Sequence, residues 1–292
     1  MTVIAQMIAD RLIFRPSQHP LRPAHKQRRM LPFGRGSIET WNRRVGSSRS
    51  EDMDVFVLKF SGTSGRAERA TYHPMDYWSD LRAELWSVNP PGYGGSSGSA
   101  SLKTLAAAAE CVFSEIQTVA DGRPIVVMGN SLGTVPSLYL AAQHKVAGLV
   151  LRNPPPLRQL ILGRHGWWNL WLGSFLISQK VPKNLCSIEN AKAASCPAVI
   201  ISSRQDKTVP APYQDRVIQA YGGESQIVAL TDANHTSSLN LVEQREYSRH
   251  LDWLRNQAIG VSRNDYSVTR SEGLTQFEDG RSSRVDRHNV TG

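Results

Sequence analysis

The chain has 292 residues, of which 40% are hydrophobic, and a formal net charge of +9 at pH 7. This length suits one large α/β domain or two small ones, and the apolar content supports a packed core and excludes a wholly disordered chain. The three cysteines form no CxxC pair and leave an odd count, which argues against a disulfide framework and favours a reducing compartment. Zinc-type spacing of Cys and His is absent from the sequence.

Residues 1–50 are predicted to form a basic, partly flexible leader. The first 14 residues are apolar but too short to span a bilayer, and they lack the basic start of a signal peptide, so we expect an amphipathic helix. The following Pro-, Arg- and Ser-rich stretch has weak periodicity and is interpreted as a solvated basic segment. Nucleic-acid binding is not expected because no binding module accompanies the charge, whereas weak contact with an anionic membrane is left open. We expect a cytoplasmic protein, with peripheral membrane contact as an alternative.

Regular alternation of strands and helices is predicted to begin near Asp52. Predicted strands cover residues 55–60, 84–88, 124–128, 146–151, 197–201 and 225–230. Predicted helices cover residues 75–81, 102–119, 132–144, 213–221 and 238–259. This rhythm predicts an α/β fold with a mostly parallel central sheet and helices on both faces. Right-handed crossovers then bring the carboxyl ends of the strands to one edge, where sites form.

Two segments depart from this alternation. Residues 154–195 are too long for a simple crossover and carry an aromatic, apolar stretch with Trp167, Trp168, Trp171 and Phe175. Residues 260–292 are polar and charged with few apolar anchors, so we predict a disordered tail. The globular domain is therefore expected over residues 51–259.

The stretch GNSLG at residues 129–133 fits the pattern G-x-S-x-G between a predicted strand and a predicted helix. Such a sharp turn exposes the hydroxyl of Ser131 above the sheet, and the helix start behind it favours developing negative charge. Glycine is needed because a Cβ would collide with the neighbouring elements. The pattern predicts a nucleophile, and an ordinary serine in a glycine-bounded turn is the alternative.

A serine nucleophile needs a base and an orienting acid, in the chain order Ser, acid, His on a sheet of this kind. Asp206 follows the predicted strand 197–201, and His235 follows the strand 225–230. Asp232 is the alternative acid, although it lies close to His235 on one short loop. The oxyanion donors are expected to be the backbone N–H of Leu132 and that of Thr63 or Gly62, in the loop after the strand 55–60.

At these residues the chain resembles the α/β-hydrolase superfamily, over about residues 52–259. Within it, the chain is similar to the compact serine hydrolases grouped with Bem46 and with α/β-hydrolase domain-containing proteins 13 and 17. The similarity covers the segments RLIFRPS (11–17), GYGGSSG (92–98), CPAVII (196–201) and DKTVP (206–210). Where that group usually has His-Gly in the oxyanion loop, this chain has Ser61-Gly62. The resemblance implies an α/β-hydrolase fold in which residues 154–195 form a short lid.

The predicted function is hydrolysis of carboxylic esters or thioesters through an acyl-enzyme on Ser131, with no metal or organic cofactor. The aromatic side chains of the predicted lid are candidate contacts for an acyl substrate, and packing on the sheet or membrane contact are the alternatives. A peptidase or amidase would use the same groups, and a non-catalytic scaffold that binds a ligand or partner is the other alternative. We expect a small-molecule or acyl substrate and no obligate protein partner.

Overall fold

A computed structural model describes residues 2–70, 74–165 and 178–260. In these ranges a sheet of eight strands runs through the molecule. The strands are β1 (Gln27–Phe33), β2 (Gly36–Val45), β3 (Val55–Phe60), β4 (Ala83–Asn89), β5 (Ile125–Asn130), β6 (Gly148–Arg152), β7 (Ala198–Ser203) and β8 (Ser225–Leu230). Their spatial order is β1-β2-β4-β3-β5-β6-β7-β8. The pairs from β4 through β3 to β8 are parallel, whereas β1 and β2 pair antiparallel with each other and β2 pairs antiparallel with β4.

Helices cover both faces of this sheet. They are α1 (Thr2–Ile13), α2 (Leu102–Ala120), α3 (Thr134–Gln143), α4 (Leu157–His165), α5 (Ser187–Ala193), α6 (Ala211–Ala220) and α7 (Leu241–Ile259). Successive side chains of the central strands point to opposite faces of the sheet and pack into two hydrophobic cores, one on each face. In β3, Phe56 and Leu58 pack on the side of α2 and α3, while Val55 and Val57 pack on the side of α7. Because both faces are covered, the central strands are buried and largely apolar, and the predicted fold class is confirmed.

The first two strands correct the prediction that regular elements begin near Asp52. They lie within the predicted leader and form a hairpin whose inner strand joins the sheet at β4. Buried Glu39 anchors this hairpin, since it accepts hydrogen bonds from Arg28 Nε (2.5 Å) and from Asn89 Nδ2 (2.7 Å). The hairpin could not be predicted from the sequence, because β1 is an edge strand with a proline and with mostly exposed or half-buried side chains. Its sequence therefore shows no clear alternation of polar and apolar residues.

The predicted helix over residues 75–81 is wrong. The chain makes only a 3-10 turn at Pro74–Asp76 and continues irregularly to β4. Met75, Trp78 and Leu81 are all buried, and their spacing of three resembles that of the apolar face of a helix. The indole of Trp78 donates instead to the carbonyl of Leu251 in α7 (3.2 Å), so packing against that helix determines the path of this segment.

The remaining predicted helices and strands lie close to those observed, and β8 has the predicted bounds. Within the predicted lid, the described residues form α4, a 3-10 turn at Lys183–Leu185 and α5. Residues 166–177 and the predicted tail from residue 261 lie outside the described ranges. In the part of the chain that is described, no helix combines the length and apolarity that crossing a membrane requires.

Candidate active site

Ser131 lies in a sharp turn between β5 and α3. Its φ of +49° places an L-residue in the left-handed region, which costs roughly 1–2 kcal/mol. A Cβ on Gly129 would lie 2.5 Å from the carbonyl oxygen of Gly133, and a Cβ on Gly133 would overlap the carbonyl of Phe60. Only glycine therefore fits at either position of the predicted pattern. The hydroxyls of Thr134 and Ser137 donate to the carbonyls of Ser131 (2.7 Å) and Gly133 (2.8 Å), which fixes the turn.

His235 and Asp206 meet at the carboxyl edge of the sheet. Asp206 is buried in the loop after β7, and His235 lies half-buried in the loop after β8. The distance from His235 Nδ1 to Asp206 Oδ2 is 2.6 Å. With its proton on Nδ1, the imidazole donates to the carboxylate and keeps a lone pair on Nε2 for use as a base. Asp232, the alternative acid, is exposed, and the carboxylate that binds His235 is that of Asp206.

Backbone and side-chain donors hold the carboxylate of Asp206. Its Oδ1 accepts from the N–H groups of Thr208 (2.7 Å) and Val209 (2.9 Å). Its Oδ2 accepts, besides His235, from Nε2 of Gln214 at 3.3 Å. These bonds fix the orientation of the carboxylate towards His235.

Gln214 is a residue that sequence reasoning missed. It is fully buried in the first turn of α6, where Nε2 also donates to the carbonyl of Val209 (2.7 Å) and Oε1 accepts from Ser202 Oγ (2.9 Å). A buried amide with several partners is a fixed element, because each lost bond leaves an unsatisfied polar group. The one available signal was a glutamine on the apolar face of a predicted helix just after the acid loop.

Asn153, also missed, supports the loop of His235. It follows β6 with a φ of +51° and is buried. Its Oδ1 accepts from the N–H of Ser203 (2.9 Å), and its Nδ2 donates to the carbonyl of His235 (3.3 Å). The preceding Arg152 donates to the carbonyl of Ser237. The ends of β6 and β7 and the histidine loop are thereby joined.

The loop after β3 packs against the serine turn. A Cβ on Gly62 would lie 3.2 Å from the carbonyl oxygen of Asn130 and 3.4 Å from Ser131 Cβ. The carbonyl of Thr63 accepts from the hydroxyl of Tyr93 (2.6 Å) and from the N–H of Arg15 (3.2 Å), which fixes this loop. Burial raises the pKa of Tyr93 to about 12, so its hydroxyl keeps the proton that it donates.

A cavity of about 800 Å³ lies over these residues. Ser131, His235 and the three candidate oxyanion residues Leu132, Thr63 and Gly62 all line it. The apolar wall of the cavity consists of Leu12 and Ile13 from α1 and of Leu157, Leu160 and Ile161 from α4, together with Pro155, two residues before α4. The predicted lid contacts Trp167, Trp168, Trp171 and Phe175 lie outside the described residues.

The cavity brings together a serine hydroxyl, an imidazole and apolar side chains. Among the described residues, no set of three or more His, Cys, Asp or Glu side chains is placed to hold a metal ion.

Comparison with known proteins agrees with this architecture. The family model described as alpha/beta hydrolase fold matches residues 70–259, more than half of the chain. The chain belongs to the α/β-hydrolase fold family. It is 29% identical to an uncharacterised Mycobacterium tuberculosis protein over 235 residues, which cover 77% of this chain and 79% of that protein. It is 36% identical to human alpha/beta hydrolase domain-containing protein 17B over 78 residues, 26% of this chain and 27% of the relative.

Solved structures share the fold at low sequence identity. The esterase Est1E from Butyrivibrio proteoclasticus, with ferulic acid bound, superposes with a TM-score of 0.64 at 13% identity, covering 80% of this chain and 100% of that chain. The Pyrococcus horikoshii acylaminoacyl peptidase gives a TM-score of 0.60 at 16% identity and covers 81% of this chain, which spans 41% of the peptidase. The family match supports the assignment of the chain as a hydrolase enzyme, and these structures show the shared fold.

Proposed function

We propose that the protein is a serine hydrolase that cleaves carboxylic esters or thioesters with an apolar acyl group. One observation carries the proposal: His235, held by Asp206 at 2.6 Å, lines the same cavity as Ser131 in its left-handed turn. A hydroxyl, an oriented imidazole and a buried carboxylate are the groups that acyl transfer through serine requires.

The reaction would proceed in two halves. His235 Nε2 accepts the proton of the Ser131 hydroxyl as Oγ bonds to the acyl carbon, and the carbonyl oxygen becomes an oxyanion. The N–H of Leu132 and that of Thr63 or Gly62 stabilise this charge. The carbon–oxygen or carbon–sulfur bond then breaks, and the leaving group takes the proton from His235. Water repeats the sequence on the acyl-enzyme, and the acid leaves while Ser131 regains its proton.

The apolar wall of the cavity favours an acyl chain over a polar acyl group. Leu12, Ile13, Leu157, Leu160 and Ile161 offer a hydrocarbon surface within the cavity that Ser131 and His235 line. Each buried CH₂ contributes about 0.8 kcal/mol, which is roughly a fourfold gain in kcat/KM per added methylene while the chain still enters the cavity.

The test uses p-nitrophenyl esters and acyl thioesters of graded chain length, with a fluorophosphonate probe that labels activated serines. We expect labelling and hydrolysis that rise with acyl length, and a loss of at least about 10³-fold in kcat for Ser131→Ala with an unchanged circular dichroism spectrum. Ser114→Ala, an exposed serine on α2, is the matched control and should behave as the wild type.

Other outcomes would identify the alternatives. A folded protein that neither labels nor hydrolyses any ester would be a binding scaffold. Faster turnover of acyl anilides than of the matching esters would indicate an amidase or peptidase on the same residues. Ester hydrolysis that survives Ser131→Ala would exclude Ser131 as the nucleophile.

A further inference from the structure

Helix α1 exposes an apolar face to solvent. Met7 is 55% exposed, and Ile8 and Leu12 are each 42% exposed. On the opposite side of the helix, Ala9 and Ile13 are buried against the body of the protein. Across the described residues, only six large apolar side chains are markedly exposed, and three of them lie on this one helix. Such a concentration indicates an interaction surface.

The helix is a fixed part of the domain. Asp10 accepts hydrogen bonds from Ser101 Oγ (2.8 Å) and from the N–H of Leu102 (2.9 Å) at the start of α2. Just after the helix, Phe14 packs edge-on against Tyr93 with ring centroids 6.4 Å apart. These contacts hold the apolar face at a constant orientation relative to the cavity.

The charges on α1 favour an anionic partner. Arg11 is exposed four residues after Met7 and so lies on the same side of the helix, and Arg15 is exposed just after the helix, three residues beyond Leu12. Asp10, the one carboxylate in the sequence of the helix, is turned inward to α2. The exposed face therefore combines apolar side chains and cations, on a chain with a net charge of +9.

This face also adjoins the entrance of the cavity. Leu12 and Arg15 are exposed to solvent and at the same time line the cavity that contains Ser131 and His235. A surface that receives the face of α1 would thus lie next to the cavity opening.

We propose that α1 docks on an anionic lipid bilayer, with Met7 and Ile8 entering the acyl boundary and Arg11 and Arg15 at the level of the phosphates. An amphipathic helix with cations beside an apolar face binds membrane surfaces in this manner. Docking would bring acyl substrates that reside in the membrane directly to the cavity. That last step rests on the proposed function, whereas the docking itself does not.

Flotation of the full-length protein with vesicles tests the docking. One set contains phosphatidylcholine alone, and the other contains phosphatidylcholine with about a third phosphatidylglycerol. We expect at least tenfold tighter binding to the anionic vesicles at low salt. The double variant Met7→Gln/Ile8→Gln should lose at least tenfold of this binding while keeping its helix, since glutamine is a good helix former. Arg11→Gln should lose about fivefold, and this loss should vanish at high salt.

A matched control comes from the start of α7, where Leu241 and Val242 are 73% and 72% exposed. Leu241→Gln/Val242→Gln should bind vesicles as the wild type does. Failure of the wild type to float with anionic vesicles, equal binding to both sets, or equal losses in the two double variants would overturn the proposal. A wild-type dimer that Met7→Gln/Ile8→Gln converts to monomer, without vesicle binding, would assign the face to a second copy and also overturn it.

Hydrolysis of a water-soluble acetate ester separates this proposal from the proposed function. Met7→Gln/Ile8→Gln should keep the wild-type rate on the soluble ester, because neither side chain lines the cavity, and lose rate only on substrate carried in anionic vesicles. A wild type that binds vesicles but hydrolyses no ester would support docking and contradict the hydrolase proposal.

Discussion

The turn that carries Ser131 and the helix α1 line the same cavity, but they are held in place by different kinds of contact. The turn depends mainly on residues within a few positions: Gly129 has no room for a Cβ beside Gly133, and two hydroxyls bond one turn back along α3, although Gly133 also packs against the carbonyl of Phe60 in β3. Helix α1 depends on partners about 80–90 positions away, namely Ser101, Leu102 and Tyr93. The serine turn is thus built largely from local contacts, whereas α1, which lines the same cavity, is held by a distant part of the chain.

The largest effect is expected where the comparison turns to the loops beside the serine turn, which carry the two candidate acids, Asp206 and Asp232. Asp206→Asn should lower kcat by about 10²–10⁴-fold, because the amide no longer stabilises the imidazolium that forms on His235. Asp232→Asn should change kcat less than twofold, since Asp232 is exposed and the contact to His235 is made by Asp206. Steady-state kinetics on a soluble ester measure both. Equal losses in the two variants would contradict the assignment of the acid.

A smaller effect is expected at Gln214, which acts through Asp206. Gln214→Met keeps the length of the side chain but removes the bond to the carboxylate, so we expect a loss of about tenfold in kcat with KM within twofold. Gln219→Met, an exposed position on the same helix, is the control and should leave both constants unchanged. If Gln214→Met lowers the melting temperature without any change in kcat, the residue supports only the fold.

The smallest effect on catalysis is expected at Asp10. Asp10→Ala removes two acceptors at the start of α2 and should lower the free energy of unfolding by about 1–2 kcal/mol, measured by urea denaturation. Hydrolysis of an acetate ester should fall less than twofold, because Asp10 lies away from Ser131. Glu189→Ala, in an exposed pair with Lys192, should cost less than about 0.5 kcal/mol. A loss of acetate hydrolysis as large as that of Asp206→Asn would remove the distinction between the two regions.

The same difference between local and distant contacts explains which residues could be predicted from the sequence. Ser131, Asp206 and His235 could be predicted as site residues because each lies in a loop or turn shortly after a strand, and the pattern around Ser131 reports mainly local backbone requirements. Gln214 and Asn153 were missed because their partners are brought to them by the strand order and the helix packing. The hairpin of β1 and β2 was missed because its stability depends on Glu39 and Asn89, which are 50 positions apart. Packing against α7 also determines the irregular path of the segment around Trp78, although the spacing of its apolar residues predicts a helix.

The strand order has a consequence for shortened versions of the protein. The family match begins at residue 70, yet β3, at Val55–Phe60, lies between β4 and β5 in the middle of the sheet. A gene fragment cut at that boundary would remove β1, β2 and the central β3, which leaves β4 without a partner on either side and one edge of β5 unpaired. Exposed strand edges of this kind promote aggregation, so sequence similarity alone marks an unsafe place to divide this chain.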